Sequence, residues 1–218
     1  HKHNVLFHTD ATQAVGHIPF DVEASNIDLA SFSGHKIYGP KGIGALYFRE
    51  SKISAKPLPI LFGGGHERGT RSGTLNVPGI IGLSTALKRS IALMDEENAR
   101  YGKWSNYLIQ LFKEKISPVK LNGHPTKRLV NNINISFTNV ESKALIHSVN
   151  DKLSIATGSA CTTLNVEPSH VVLALGFGPE RAHTAIRLGF GRFNTDEEIE
   201  FCADFITNAV TRLRKISL

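Results

Sequence analysis

Two short stretches of this chain set an acid and an amine in matching positions: Asp10-Ala11-Thr12-Gln13 and Ser33-Gly34-His35-Lys36. Each closes an apolar, strand-like run. Val5-Leu6-Phe7-His8-Thr9 leads to Asp10, and Ile27-Asp28-Leu29-Ala30-Ser31-Phe32 leads to Ser33. In open α/β sheets, ligands gather at the carboxyl ends of the strands. One such end offers a carboxylate and the next a primary amine. Pyridoxal 5'-phosphate (PLP) needs this pair: an amine for the Schiff base and a carboxylate to keep the pyridine nitrogen protonated. Taken singly, each has a plainer reading, Asp10 as a turn or helix cap and Lys36 as a surface lysine. Their shared strand-end placement favours the chemical one.

A third reactive group lies further along. Cys161 sits in Thr157-Gly158-Ser159-Ala160-Cys161-Thr162-Thr163, a run of small and hydroxylated residues that reads as a loop. An accessible thiol in such a loop suits a nucleophile, whereas a buried cysteine behaves as a small hydrophobe. The other cysteine, Cys202, falls within 197–213, where Ile199, Phe205, Ile206, Val210 and Leu213 recur at helical spacing, and reads as a packed helix residue. Two thiols form no disulfide framework, and no zinc spacing is present. His66, His124, His147, His170 and His183 show no metal spacing and receive no role.

The elements that must position these groups follow from periodicity and turn residues. Strands are expected at the two runs above and at 43–48, after Tyr38-Gly39-Pro40-Lys41-Gly42. A glycine-punctuated loop covers Gly63-Gly64-Gly65-His66-Glu67-Arg68 and Arg71-Ser72-Gly73-Thr74. Helices are expected at 77–93 and 96–115, then a strand at 132–137, a helix at 142–150 and a short strand at 154–156. A helix at 168–175, a strand at 184–188 and a closing helix at 195–213 complete the reading. Thr195, with Glu198 three residues on, forms a capping box ahead of an acidic first turn. Two regions result, 1–90 and 91–218, with no linker, repeat or low-complexity tract between them.

Composition limits the class. The 218 residues are 41% hydrophobic, enough for a globular core, and no run of about 18 apolar residues suggests a membrane span. The formal charge of +6 reflects scattered basic residues without interleaved aromatics, so direct nucleic-acid binding is not indicated.

Several motifs recur in order: Asp10-Ala-Thr-Gln13, Ser33-Gly-His-Lys36-Ile-Tyr-Gly-Pro-Lys-Gly, Gly63-Gly-Gly-His-Glu-Arg-Gly, Arg71-Ser-Gly-Thr74, Gly158-Ser-Ala-Cys161-Thr, Glu167-Pro-Ser and Ala182-His-Thr-Ala-Ile-Arg187. Together they closely resemble the cysteine desulfurases of the NifS/IscS type, within the class V aminotransferase-like, PLP fold type I enzymes. The resemblance runs nearly end to end. It implies an α/β fold: the later part of a PLP-binding large domain (mixed, mostly parallel sheet with flanking helices) over 1–90, and a small α+β C-terminal domain carrying the cysteine loop over 91–218.

The resemblance also implies roles. Lys36 is the Schiff-base lysine and later proton-transfer base, and Asp10 salt-bridges the pyridinium nitrogen. Gln13 bonds the ring hydroxyl, while Ser33 and His35 contact the cofactor phosphate. Thr74 is a phosphate ligand donated across a dimer interface; a helix cap before Pro78 is its plainer reading. Arg187 clamps the substrate α-carboxylate, for which a guanidinium has bidentate geometry. Cys161 attacks the sulfur of L-cysteine, leaving L-alanine and an enzyme persulfide. The segment around it resembles the long-loop branch of the family.

Family chains are about twice this length, and this one opens His1-Lys2-His3-Asn4 almost directly into a strand. The chain is therefore expected to be the later part of a larger protein, incomplete as a catalyst without its N-terminal half. Expected partners are L-cysteine, a sulfur-acceptor protein, that missing half and a second protomer. Expected location is the bacterial cytoplasm or an organellar matrix. Iron–sulfur assembly, tRNA thiolation and DNA phosphorothioation remain open as pathways. A selenocysteine lyase, another class V enzyme, or a non-catalytic fragment are the alternative readings.

Overall fold

The computed structural model describes residues 3, 5–50, 57–156 and 168–216. The chain divides into two compact units, His1–Asp95 and Glu96–Leu218.

The first unit holds a three-stranded sheet in the order β1 (His8–Asp10), β2 (Leu29–Ser33), β3 (Gly44–Phe48). β1 and β2 run parallel, with Asp10 opposite Ser31, and β2 and β3 run antiparallel, with Ser33 opposite Gly44. The first strand is shorter than its apolar run. Regular pairing starts at His8, yet the Phe7 carbonyl already accepts the Asp28 and Leu29 amides at 3.1 and 3.0 Å. Gly44 must be glycine, since a Cβ there would stand 2.6 Å from the Phe32 carbonyl oxygen. Ala11, Val15, Ile27 and Ala30 form one small core, and Ile37, Leu83 and Ala86 another. Buried Arg49 donates from Nε and Nη2 to the Ile27 carbonyl at 3.1 and 3.0 Å and pairs with Glu23, fastening the end of β3 to the turn before β2.

One helix, α1 (Val77–Lys115), replaces the two expected at 77–93 and 96–115. Nothing between them stops a helix: Leu93-Met94-Asp95-Glu96-Glu97 contains no proline or glycine and mostly strong helix formers. The boundary between the units falls inside it.

The second unit builds its core from α1, an antiparallel sheet and the last helix. The sheet runs β4 (Val119–Leu121), β5 (Asn132–Phe137), β6 (Ala185–Gly189), and β4 was not expected from the sequence. α2 (Ser142–Val149), α3 (His170–Ala174), α4 (Pro179–His183) and α5 (Asp196–Ile216) complete the unit. The expected strand at 154–156 reduces to a single bridge, Ala156 to Arg187. Residues Ile199, Ala203, Ile206 and Val210 of α5 repeat every three or four positions and are buried, as an amphipathic helix requires. They meet Leu108, Phe112, Ile133, Ile135 and Phe137 in one cluster. Trp104 and Tyr101 add rings against Phe190, with centroids 5.6 and 6.0 Å away. The capping box is present: Thr195 Oγ1 accepts the Glu198 amide at 3.3 Å, and Glu198 Oε2 accepts the Thr195 amide at 3.2 Å. No described helix is long and apolar enough to cross a membrane.

Candidate active site

Parallel pairing of β1 and β2 brings the two chemical stretches side by side. Asp10 is the last residue of β1 and Ser33 the last of β2, so the acid and the Ser33-Gly34-His35-Lys36 turn leave the same sheet edge from strands about 4.8 Å apart.

Asp10 does two things at once. Its Oδ1 accepts the Thr12 amide at 2.9 Å, closing an Asx turn, which is the capping role the plainer reading gave it. The same bonding, from the Thr12 hydroxyl first and the Thr12 amide second, holds the carboxyl below its ordinary range, and the charge of His8 adds to this. The group stays an exposed carboxylate rather than a neutral acid. Gln13 is also exposed, on the loop directly after it. The Asx-turn bond therefore leaves the carboxylate exposed.

The lysine turn is a one-turn 3-10 helix, Gly34–Ile37. Gly34 starts it because there is no room for more: a Cβ would come within 3.1 Å of Leu83 Cδ1 and 3.2 Å of Ile43 Cγ2. Ile37 is buried, so Lys36 beside it faces outward and is exposed. Tyr38 ends the turn in the left-handed region, φ 65°, and its amide bonds the Gly34 carbonyl. Ser33 Oγ is hydrogen-bonded to His35 Nδ1 at 2.7 Å, so the hydroxyl and the imidazole act as one polar pair.

This donor set fits PLP face by face: an ionised acid for the ring nitrogen, an exposed amide, an exposed primary amine, and a hydroxyl–imidazole pair suited to a phosphate. Two residues outside the sequence reading belong to the same constellation. Thr12 lowers the Asp10 carboxyl through its hydroxyl and amide, and His17 donates from Nε2 to the Lys36 carbonyl at 3.1 Å. Thr12 is the local Asx-turn partner of Asp10, whereas His17 has no signal in the sequence, because its bond is to a residue nineteen positions on that folding brings beside it.

Thr74 is exposed in the loop before α1, where the Arg71 guanidinium grips the Gly73 and Thr74 carbonyls at 3.0 and 3.3 Å. It does not cap the helix. Asn76 does, its Oδ1 accepting the Gly79 amide at 3.1 Å, which removes the plainer reading of Thr74. In the second unit, Arg187 is half-buried on β6 opposite Asn134. Its amide donates to the Ala156 carbonyl at 2.6 Å, and its carbonyl accepts the Ala156 amide at 3.2 Å. Ala156, the last described residue before the Cys161 segment, is thus fastened to the strand that carries Arg187. Cys161 itself lies outside the described residues. Cys202 packs against the core, as expected, and burial pushes its thiol up to about 11. Among the described residues no group of histidine, cysteine and acidic side chains could hold a metal.

Comparison with known proteins extends the picture. The Aminotransferase class-V profile matches residues 1–201. Cysteine desulfurase IscS of Rickettsia felis is 46% identical over 220 residues, 99% of this chain and 52% of that protein. The protein of the same name from Ehrlichia chaffeensis is 44% identical over 217 residues, 100% of this chain and 53% of that one. A solved NifS-like protein superposes with a TM-score of 0.84 at 31% identity, covering 96% of this chain and 53% of its own. DndA from Streptomyces lividans gives a TM-score of 0.67 at 32% identity, covering 85% of this chain and 52% of its own. The chain spans about half the length of the curated relatives it matches. With the strand-end acid, the lysine turn and a profile match over most of its length, the chain belongs to the class-V aminotransferase family.

Proposed function

We propose that this chain supplies the lysine, the ring acid and the sulfur-accepting cysteine of a PLP-dependent cysteine desulfurase that converts L-cysteine to L-alanine. The observation that carries this reading is the pair of adjacent parallel strand ends, one presenting the exposed Asp10 carboxylate bonded by Thr12 and the other presenting exposed Lys36. The likeness to proteins named cysteine desulfurase IscS selects the reaction.

Bound PLP supplies the electron sink for cleavage at the substrate's α- and β-carbons. Asp10 would keep the ring nitrogen protonated, Gln13 would bond the ring hydroxyl, and the Ser33–His35 pair and Thr74 would bind the phosphate. Lys36 would hold the cofactor through its ε-nitrogen and, as an exposed primary amine, would move the proton at the substrate Cα. Arg187 clamps the α-carboxylate. The Cys161 thiolate attacks the substrate sulfur. A sulfur–sulfur bond forms, the carbon–sulfur bond breaks, and its electron pair stays with the carbon, which takes a proton and becomes the methyl of alanine. The persulfide left on Cys161 passes to a sulfur-acceptor protein serving iron–sulfur assembly, tRNA thiolation or DNA phosphorothioation.

The working unit is a homodimer in the bacterial cytoplasm. Leu58 and Ile60, 89% and 90% exposed just ahead of the Gly63 loop, support an assembly that covers them. The test is the visible spectrum of the full-length protein before and after L-cysteine. A cofactor band that responds to L-cysteine and is lost in Lys36→Ala supports the reading; a colourless wild type that stays colourless with added PLP refutes it. Alanine formation that survives Cys161→Ala would transfer the assignment to a selenocysteine lyase or related enzyme.

A further inference from the structure

A single 3-10 turn is a weak support for a reactive lysine. It closes few hydrogen bonds, and here it ends on Tyr38 in a left-handed conformation that a bulky residue adopts at a cost. Something outside the turn must hold it. The loop that follows Asp10 does so. From Asp10 onward its backbone winds through bonds from Thr12 to Asp10 Oδ1, from Val15 to the Ala11 carbonyl at 2.9 Å and from His17 to the Ala14 carbonyl at 3.0 Å.

Gly16 then turns the chain at φ +78°, so close to the lysine turn that a Cβ would stand 2.8 Å from Ile37 Cγ2. This delivers His17, whose Nε2 donates to the Lys36 carbonyl at 3.1 Å. Because a carbonyl only accepts, that bond requires the proton on Nε2. The next carbonyl, of Ile37, receives the Ser90 hydroxyl at 3.4 Å.

The 10–17 loop therefore begins at the ring acid and ends on the backbone of the amine. Both groups must reach one rigid ring at the same time, and misplacement on the ångström scale is expensive in rate. We propose that His17 is a positioning residue that fixes the spacing of Lys36 from Asp10 through its hydrogen bond to the Lys36 carbonyl. The proposal rests on the desulfurase reading above and adds to it a residue that acts through the Lys36 backbone.

The test compares full-length wild type, His17→Ala and His17→Gln, the glutamine keeping an N–H donor of similar reach. Amide hydrogen exchange of Tyr38 and Gly39 is read on cofactor-free protein, and PLP affinity and steady-state rates on the loaded enzyme. Loss of one such bond predicts exchange faster by about 3- to 10-fold and PLP affinity weaker by about the same factor in His17→Ala. kcat falls while KM for L-cysteine holds, and His17→Gln restores all three. Should His17→Ala not fold, His17→Leu against His17→Gln makes the same comparison of apolar bulk against a donor. Unchanged exchange and affinity in His17→Ala, or a loss that His17→Gln does not restore, overturns the proposal. If wild type binds PLP on Lys36 while His17→Ala is indistinguishable from it, only the positioning role fails. A wild type that takes up no PLP overturns both readings.

Discussion

Replacing Gly16 by alanine should damage the lysine turn more than any comparable change at a glycine with open surroundings. Gly16 has φ +78°, and its added Cβ would meet Ile37 Cγ2 at 2.8 Å and Ser90 Cβ at 3.0 Å. Left-handed backbone costs an L-residue about 1–2 kcal/mol. Forcing a methyl into a filled site costs about 1–3 kcal/mol more. Ile37 is 1% exposed, and its neighbours Leu83 and Ala86 are also buried, so it cannot yield outward. The sum is about 2–5 kcal/mol. Gly42 is the natural control: its φ is +79°, nearly the same, but nothing lies within 4 Å of its Cβ position. Gly42→Ala should therefore lose only the backbone share, about 1–2 kcal/mol. Urea unfolding of both variants, followed by far-UV circular dichroism, isolates the packing share as their difference. PLP titration then reports whether the loss reaches Lys36. Equal destabilisation of the two variants, or a Gly16→Ala milder than Gly42→Ala, would refute the close packing of the loop on the lysine turn.

Other predictions concern protons and buried charges. Thr12→Val removes the hydroxyl that most lowers the Asp10 carboxyl but leaves the Thr12 backbone bond, so the Asp10 midpoint should rise part-way to its ordinary value in a carbon-detected NMR titration. An unchanged midpoint would contradict the assignment. Burial pushes the Cys202 thiol up to about 11, so the folded state keeps a proton that the unfolded chain gives up near its ordinary value of 9.0. Stability is then full below the ordinary value and falls as pH rises from there to the folded value, by on the order of 2 kcal/mol. Urea midpoints measured across that window in wild type and Cys202→Ala check it, since the alanine variant should lose less over the same rise. Arg192 and Glu97, 10% and 7% exposed, form an ion pair in the second unit. Glu97→Ala removes the carboxylate that the Arg192 guanidinium pairs with and should cost about 1.5–3 kcal/mol in thermal unfolding, whereas a loss near zero would mean water reaches the pair.

The sequence speaks most clearly where one residue type meets one local rule. The expected strand at 132–137 and β5 (Asn132–Phe137) have the same limits, because alternating apolar side chains with flanking turns leave little choice. Thr195 and Glu198 form the capping box their spacing announces. β4 stayed hidden because Val119-Lys120-Leu121 is too short for a period and is a strand only through its pairing with β5. The break expected between 93 and 96 had no glycine or proline behind it, and α1 runs on. The site divides in the same way. The placement of Asp10 and of the turn holding Lys36 at adjacent strand ends is legible because each follows an apolar run. His17 is not, since its hydrogen bond reaches Lys36, a partner that depends on the folded path of the loop, while the bonds of Thr12 and Asn76 are local turn and cap bonds. Asn76 also marks the limit of elimination: only the structure reveals which polar residue ahead of Pro78 caps α1.

The most direct test of the reaction is mass spectrometry of the Cys161 peptide after the PLP-loaded full-length protein meets L-cysteine without a sulfur acceptor. One added sulfur atom is expected on Cys161, removed by reductant, absent from Cys202 and absent in Lys36→Ala. Alanine produced with no sulfur gained at Cys161, or sulfur gained equally in Lys36→Ala, would contradict it.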